Sequence, residues 1–74
     1  MSRLPRGLSY QRVAAALKRA RFSVRRRKGS HIVLRRDEPF AQVVVPAHRS
    51  LDTGTLASIL AGAGMTPDEF LDLL

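Results

Sequence analysis

Two periodicities divide the chain. From Ser9 to Ala20, the residues Tyr10, Val13, Ala14, Leu17 and Ala20 recur at three- and four-residue spacing, with Gln11, Arg12, Lys18 and Arg19 between them. That is the pattern of a helix with one apolar face, and Ser9 supplies an N-cap hydroxyl. After Arg21 the period drops to two. Phe22 and Val24 alternate with Ser23 and Arg25, and Ile32 and Leu34 alternate with His31, Val33 and Arg35. Lys28-Gly29-Ser30 breaks the alternation as a turn. Arg36-Asp37-Glu38-Pro39 breaks it again before Phe40-Ala41-Gln42-Val43-Val44-Val45, the most β-prone stretch of the chain. Three antiparallel strands in a meander are predicted. With Phe22, Val24, Ile32, Leu34, Ala41, Val43 and Val45 turned to the core, His31, Arg25, Arg27 and Arg35 share the opposite, wetter face.

Pro46 closes the third strand, and Ala47-His48-Arg49-Ser50-Leu51 is a loop. Asp52 or Thr53 caps a second helix, which carries Leu56, Ile59, Leu60 and Ala63 on one face and stops at Gly64. Thr66-Pro67-Asp68-Glu69 restarts a third, with an N-cap threonine, proline at the first helical position and the glutamate of a capping box. Phe70, Leu71 and Leu74 are its apolar residues. The predicted fold is α+β, in the order α-β-β-β-α-α, with helices on one face of a three-stranded antiparallel sheet. It takes residues 1–74 as a single domain, with residues 1–8 as an N-terminal arm.

Composition narrows the class. A hydrophobic fraction of 45% suits one small core. Without cysteine there are no disulfides or thiolate metal sites, and a reducing compartment fits best. No apolar run approaches the roughly 20 residues of a bilayer span, and the start lacks a signal-peptide core. A soluble, cytoplasmic protein with no membrane contact is expected.

Charge changes the picture most. The net charge is +7, but residues 1–36 hold twelve Lys and Arg and no acid, whereas residues 37–74 hold six acids against Arg49 alone. Such asymmetry points to a polyanion bound by the first half. Nucleic acid is favoured over membrane because the cations are spread over several elements. Arg25, Arg26, Arg27, Lys28, Arg35 and Arg36 crowd one hairpin and repel each other unless an anion is supplied. They are the phosphate-binding candidates.

The run is interrupted once, by Gly29-Ser30-His31. RNA carries its own nucleophile, the 2′-hydroxyl, so cleavage needs a base for that proton, cations for the charge gathering on phosphorus, and help for the departing 5′-oxygen. His31 is the candidate base. Taken alone, a histidine after a Gly-Ser turn is more often only a polar surface residue. Gly29 lets the turn approach an RNA backbone, Ser30 orients the ring or bonds phosphate, and Lys28 adds charge. His48 is open between general acid, phosphate contact and a loop residue bonded to backbone. The amides of residues 52–55 offer either a further phosphate site or ordinary capping. Asp37-Glu38 lie in a turn, and His31 and His48 lack clustered carboxylate or thiolate partners, so neither metal nor cofactor is expected. With few aromatic residues, backbone contact outweighs base stacking and sequence specificity is loose. Val33, Val44 and Phe40 form an outward apolar patch in a cationic frame, which suits a protein partner.

Several segments stand together in a recognisable order: Phe22 opening the first strand, Gly29-Ser30-His31 at the hairpin, Val45-Pro46-Ala47-His48, Gly54-Thr55-Leu56-Ala57-Ser58-Ile59-Leu60 and Ala63-Gly64-Met65. From about Ser9 to the end the chain resembles the HicA family of bacterial toxins. The resemblance implies a fold like the double-stranded-RNA-binding domain and ribonuclease activity on mRNA. It also implies catalysis by His31 and neutralisation by a HicB-type antitoxin, the toxin being a monomer alone or part of a hetero-oligomer with that partner. One departure is Arg21, where the family usually has glycine before the aromatic residue; a side chain at a left-handed helix stop is strained. Two other readings stay open on the residues alone. One is a non-catalytic RNA-binding module of the same fold. The other is a domain whose positive face docks an acidic protein.

Overall fold

A computed structural model describes residues 4–74. The elements are α1 (Tyr10–Arg19), β1 (Ser23–Lys28), β2 (His31–Asp37), β3 (Phe40–Pro46), α2 (Thr53–Ala63) and α3 (Pro67–Leu73). The strands form one antiparallel sheet in the order β1-β2-β3. Order and layering are those predicted.

Each helix starts where a side chain accepts a free amide. Ser9 Oγ accepts the Arg12 N–H at 3.3 Å, and Asp52 Oδ1 accepts the Thr55 N–H at 2.6 Å. In the Thr66–Glu69 capping box, Thr66 Oγ1 accepts from Glu69 at 3.1 Å and Glu69 Oε1 accepts from Thr66 at 2.8 Å. These backbone amides, Thr55 for Asp52 and Thr66 for Glu69, hold both carboxyls below their ordinary range.

The end of α1 is built without glycine. Arg21 has φ 74°; its N–H donates to Lys18 O at 3.0 Å, and the Phe22 N–H reaches back to Leu17 O at 3.0 Å. That pair of bonds is the Schellman arrangement, here with an arginine in the left-handed position. Burial of the next residue offsets the strain, because the turn delivers Phe22 into the core at 3% exposure.

The core joins Val13, Ala16 and Leu17 of α1 to Ile32 and Leu34 of β2, Val43 and Val45 of β3, Leu56 and Leu60 of α2, and Phe70 of α3. Both α1 and α2 pack over β3, and α1 also meets α3, where Arg19 Nη1 donates to Leu73 O at 2.8 Å. Close approach of α2 to β3 depends on Gly62: a Cβ there would sit 3.3 Å from Val43 Cγ1. Since this helix layer is centred on β3, the far strand β1 is thinly covered. Val24, predicted to be buried, is 45% exposed for that reason.

Of the arm, Met1–Arg3 lie outside the described residues. Leu8 forms a bridge to Leu51, with Leu51 N–H donating to Leu8 O at 2.8 Å and Gly7 N–H to Leu51 O at 3.2 Å. Leu8 is buried, and Leu4 packs against the core. Among the described residues, no helix is long and apolar enough to cross a membrane.

Candidate nucleic-acid interface and reactive histidine

The site grows from the β1–β2 hairpin. Lys28 pairs with His31 across a two-residue loop, Gly29-Ser30. Gly29 has φ 56° and Ser30 does not share the positive sign, the arrangement of a type II′ turn, whose first central position calls for glycine. No atom lies within 4 Å of where a Gly29 Cβ would stand, so the backbone conformation and not crowding requires this residue.

Below the turn, Arg27 faces Ile32 and Arg26 faces Val33; then the register slips, and Val24 faces Leu34 and Ser23 faces Arg35. Arg25 is the extra residue of a β-bulge, and one extra residue inverts the alternation on either side of it. Opposed residues share a face. Arg27 therefore lies on the helix side with buried Ile32, not with His31 as the plain alternation predicts, and its guanidinium carbon stands 5.8 Å from the centre of the Tyr10 ring. Arg26 takes the place assigned to it and joins His31.

On the open face β2 runs down the middle. His31 lies between Lys28 and Pro46, Val33 between Arg26 and Val44, and Arg35 between Ser23 and Gln42; Asp37 stands opposite Phe40. Opposed side chains are about 5 Å apart and successive rows roughly 6.6 Å, so Lys28 and Arg26 both lie within one row of the imidazole. His31 is exposed, and its ring makes no hydrogen bond to any described residue. The loop after β3 folds against the hairpin tip: the Ala47 N–H donates to Ser30 O at 2.6 Å. The His48 N–H donates to Pro46 O at 2.8 Å, and its carbonyl accepts the Tyr10 N–H at 3.0 Å. The backbone of His48 is thus tethered while its side chain is exposed, at the same end of the sheet as His31 and Ser30.

The six candidate cations divide into two groups. No carboxylate of the described residues pairs with Arg25, Arg26, Arg27 or Lys28, and all four are exposed. Arg35 Nε lies 2.9 Å from Asp37 Oδ1, but its N–H is not aimed at that oxygen; the contact is an ion pair, not a hydrogen bond, and it offsets part of the arginine's charge. Arg36 points to the helix side. Its Nε donates to Pro39 O at 2.9 Å, Nη2 to Ala63 O at 3.3 Å and Nη1 to Ala20 O at 3.5 Å. Its guanidinium lies 4.7 Å from the centre of the Phe22 ring. Arg36 clasps the ends of α1 and α2 to the β2–β3 turn, a role that charge and sequence position do not reveal.

At the start of α2 the Thr55 N–H is taken by the Asp52 carboxylate, the ordinary capping arrangement. Among the described residues no group of three His, Cys, Asp or Glu side chains gathers closely enough to hold a metal ion. Phe40 and Val44 are 68% and 47% exposed and with half-buried Val33 form the expected apolar patch on the face of His31.

No curated protein sequence matches the chain. A family model described as the HicA toxin of bacterial toxin-antitoxin matches residues 10–65, and proteins of this family are generally RNA-cleaving. The match takes in α1, the whole sheet with its hairpin histidine, and α2. The chain belongs to the HicA toxin family of bacterial toxin–antitoxin systems.

Proposed function

We propose that this toxin is an endoribonuclease that cuts mRNA without a metal ion, with His31 as its general base. The observation that carries the proposal is an exposed imidazole on the central strand, beside Lys28 and Arg26, with no hydrogen-bond partner for the ring and no carboxylate partner for those cations among the described residues. Phosphates lie along Lys28, Arg26 and Arg25, with Gly29 and Ser30 bringing the hairpin tip against the sugar-phosphate chain and Arg35 and His48 at the margins. His31 takes the proton of a ribose 2′-hydroxyl as that oxygen attacks the adjacent phosphorus. The 2′-oxygen-to-phosphorus bond forms as the bond to the 5′-oxygen breaks, leaving a 2′,3′-cyclic phosphate and a 5′-hydroxyl once the departing oxygen gains a proton. Lys28 and Arg26 stabilise the negative charge gathering on the phosphoryl oxygens. A positioned base of this kind contributes about 10²- to 10⁴-fold.

A HicB-type antitoxin neutralises the toxin by covering the same face. Phe40, Val44 and Val33 supply apolar area, and an acidic segment of the partner takes the place of phosphate on Lys28 and Arg26. Incubating the protein and a His31→Ala variant with RNA in EDTA tests the reaction. Cleavage by the parent and none by the variant supports it; binding without cleavage by either leaves an RNA-binding module. A structure of the toxin–antitoxin complex with His31 open to solvent would refute occlusion.

A further inference from the structure

On the other side of β1 lies a cleft that the reaction does not use. It has a volume of about 280 Å³ between α1 and the helix-facing side of β1, reaching Ile32 of β2; Ala14, Ala15 and Val24 are among its apolar lining, and Tyr10, Lys18 and Arg27 line it too. We propose that this cleft receives one unstacked base of the bound RNA, packed against Tyr10, Arg27 and Val24, while the flanking phosphates follow β1. This rests on the RNA-binding reading above and adds a second contact to it.

Three features of the molecule lead there. The bulge at Arg25 sends Arg26 and Lys28 to the His31 face and Arg27 to the helix side, so a polyanion lying along this edge meets cations on both sides. Val24 is an apolar side chain left 45% exposed beside those cations. Finally, Tyr10 and Arg27 already stand ring to guanidinium at 5.8 Å, within cation–π reach, and together offer a flat π-surface of the kind on which bases stack. An acidic peptide would satisfy Lys18 and Arg27 but not the apolar floor. A nucleotide brings a flat, weakly polar ring and an anion on one unit, which matches both. Among the described residues β1 is an edge strand, and an edge strand presents outward backbone groups that the edge of a base can meet.

Two 2′-O-methyl oligoribonucleotides of equal length, one with bases and one abasic, bind without being cut because the nucleophile is blocked. Measured by fluorescence anisotropy, the parent is expected to bind the oligomer with bases about 5- to 150-fold more tightly, as one stacked base contributes roughly 1–3 kcal/mol. Tyr10→Phe keeps that preference, and Tyr10→Leu loses it. Ala15→Leu, which fills the cleft while keeping a strong helix former, loses it too and guards against a folding defect in the Tyr10 variants. Equal binding of both oligomers by the parent, or a preference that survives both Tyr10→Leu and Ala15→Leu, overturns the cleft. Ala15→Leu weakening antitoxin binding with the base preference intact overturns it in favour of a protein contact. Failure of the parent to bind either oligomer removes the RNA-binding reading itself.

Discussion

Arg36 and Arg26 are both arginines of the same hairpin; the structure ties Arg36 to the fold, whereas the proposed reaction gives Arg26 to phosphate. Replacing Arg36 by alanine removes a bond to Pro39 O at 2.9 Å, two longer ones to Ala63 and Ala20, and the stacking on Phe22. A hydrogen bond from a charged donor contributes about 1.5–3 kcal/mol and a cation–π contact about 0.5–1 kcal/mol. The bonds at 3.3 and 3.5 Å are at the weak end of the geometric range, and Arg36 is half-buried, so a loss of about 2–3 kcal/mol is expected. In a domain of this size that lowers Tm by roughly 8–24 °C. Arg36→Lys keeps the charge but not the planar fork and loses most of the same stability. Arg26→Ala, at an exposed position with no carboxylate partner among the described residues, stays within about 0.5 kcal/mol of the parent. Thermal unfolding followed by circular dichroism reads both. RNA affinity measured against salt at a temperature where every variant is folded then separates the roles: Arg36→Ala keeps the parental slope and Arg26→Ala does not. An Arg36→Ala protein that melts within about 2 °C of the parent, or that loses RNA affinity as Arg26→Ala does, would refute the division.

Arg21→Gly relieves a side chain in the left-handed region at φ 74° and is expected to stabilise the protein by about 1 kcal/mol, read as a higher urea midpoint. Removing Arg26 and Lys28 together lowers the slope of log affinity against log salt by about 1.4 for single-stranded RNA, close to 0.7 per phosphate contact, and does so alike for unrelated sequences. The depressed carboxyls of Asp52 and Glu69 contribute stability that is fully present above the ordinary carboxylate range, near pH 4. That contribution is lost as pH falls through their lower folded values, because the unfolded chain then binds more protons. Combined Asp52→Asn and Glu69→Gln substitution, which keeps capping-competent side chains without titration, flattens the acid limb of a stability-versus-pH curve.

Local signals make much of this fold legible. Ser9, the Thr66–Glu69 capping box and Gly64 each act on backbone within a few residues, so the helices begin and end where their chemistry says. Gly29-Ser30 marks the hairpin for the same reason, and Arg21 declares a strained helix stop that the structure contains. The bulge at Arg25 is invisible because alternation is read from apolar residues, and residues 25–28 are all cations; without a marker the parity change passes unseen and Arg26 and Arg27 exchange faces. Val24 does align with buried Leu34, yet its cover depends on how far α1 and α2 reach across the sheet, a tertiary fact. The clasp made by Arg36 cannot be read from its place in a run of cations, because it exists only once the carbonyls of Ala20, Pro39 and Ala63, scattered along the chain, are brought around it.

Cleavage of RNA by purified protein in the presence of EDTA, parent against His31→Ala, tests the central claim most directly when RNA affinity is measured alongside. The predicted result is a parent that cuts and a variant at least about 100-fold slower that binds RNA nearly as well, since the cations around the imidazole are untouched. A His31→Ala protein that cuts at the parental rate, or a parent that binds RNA and leaves it whole, contradicts the claim.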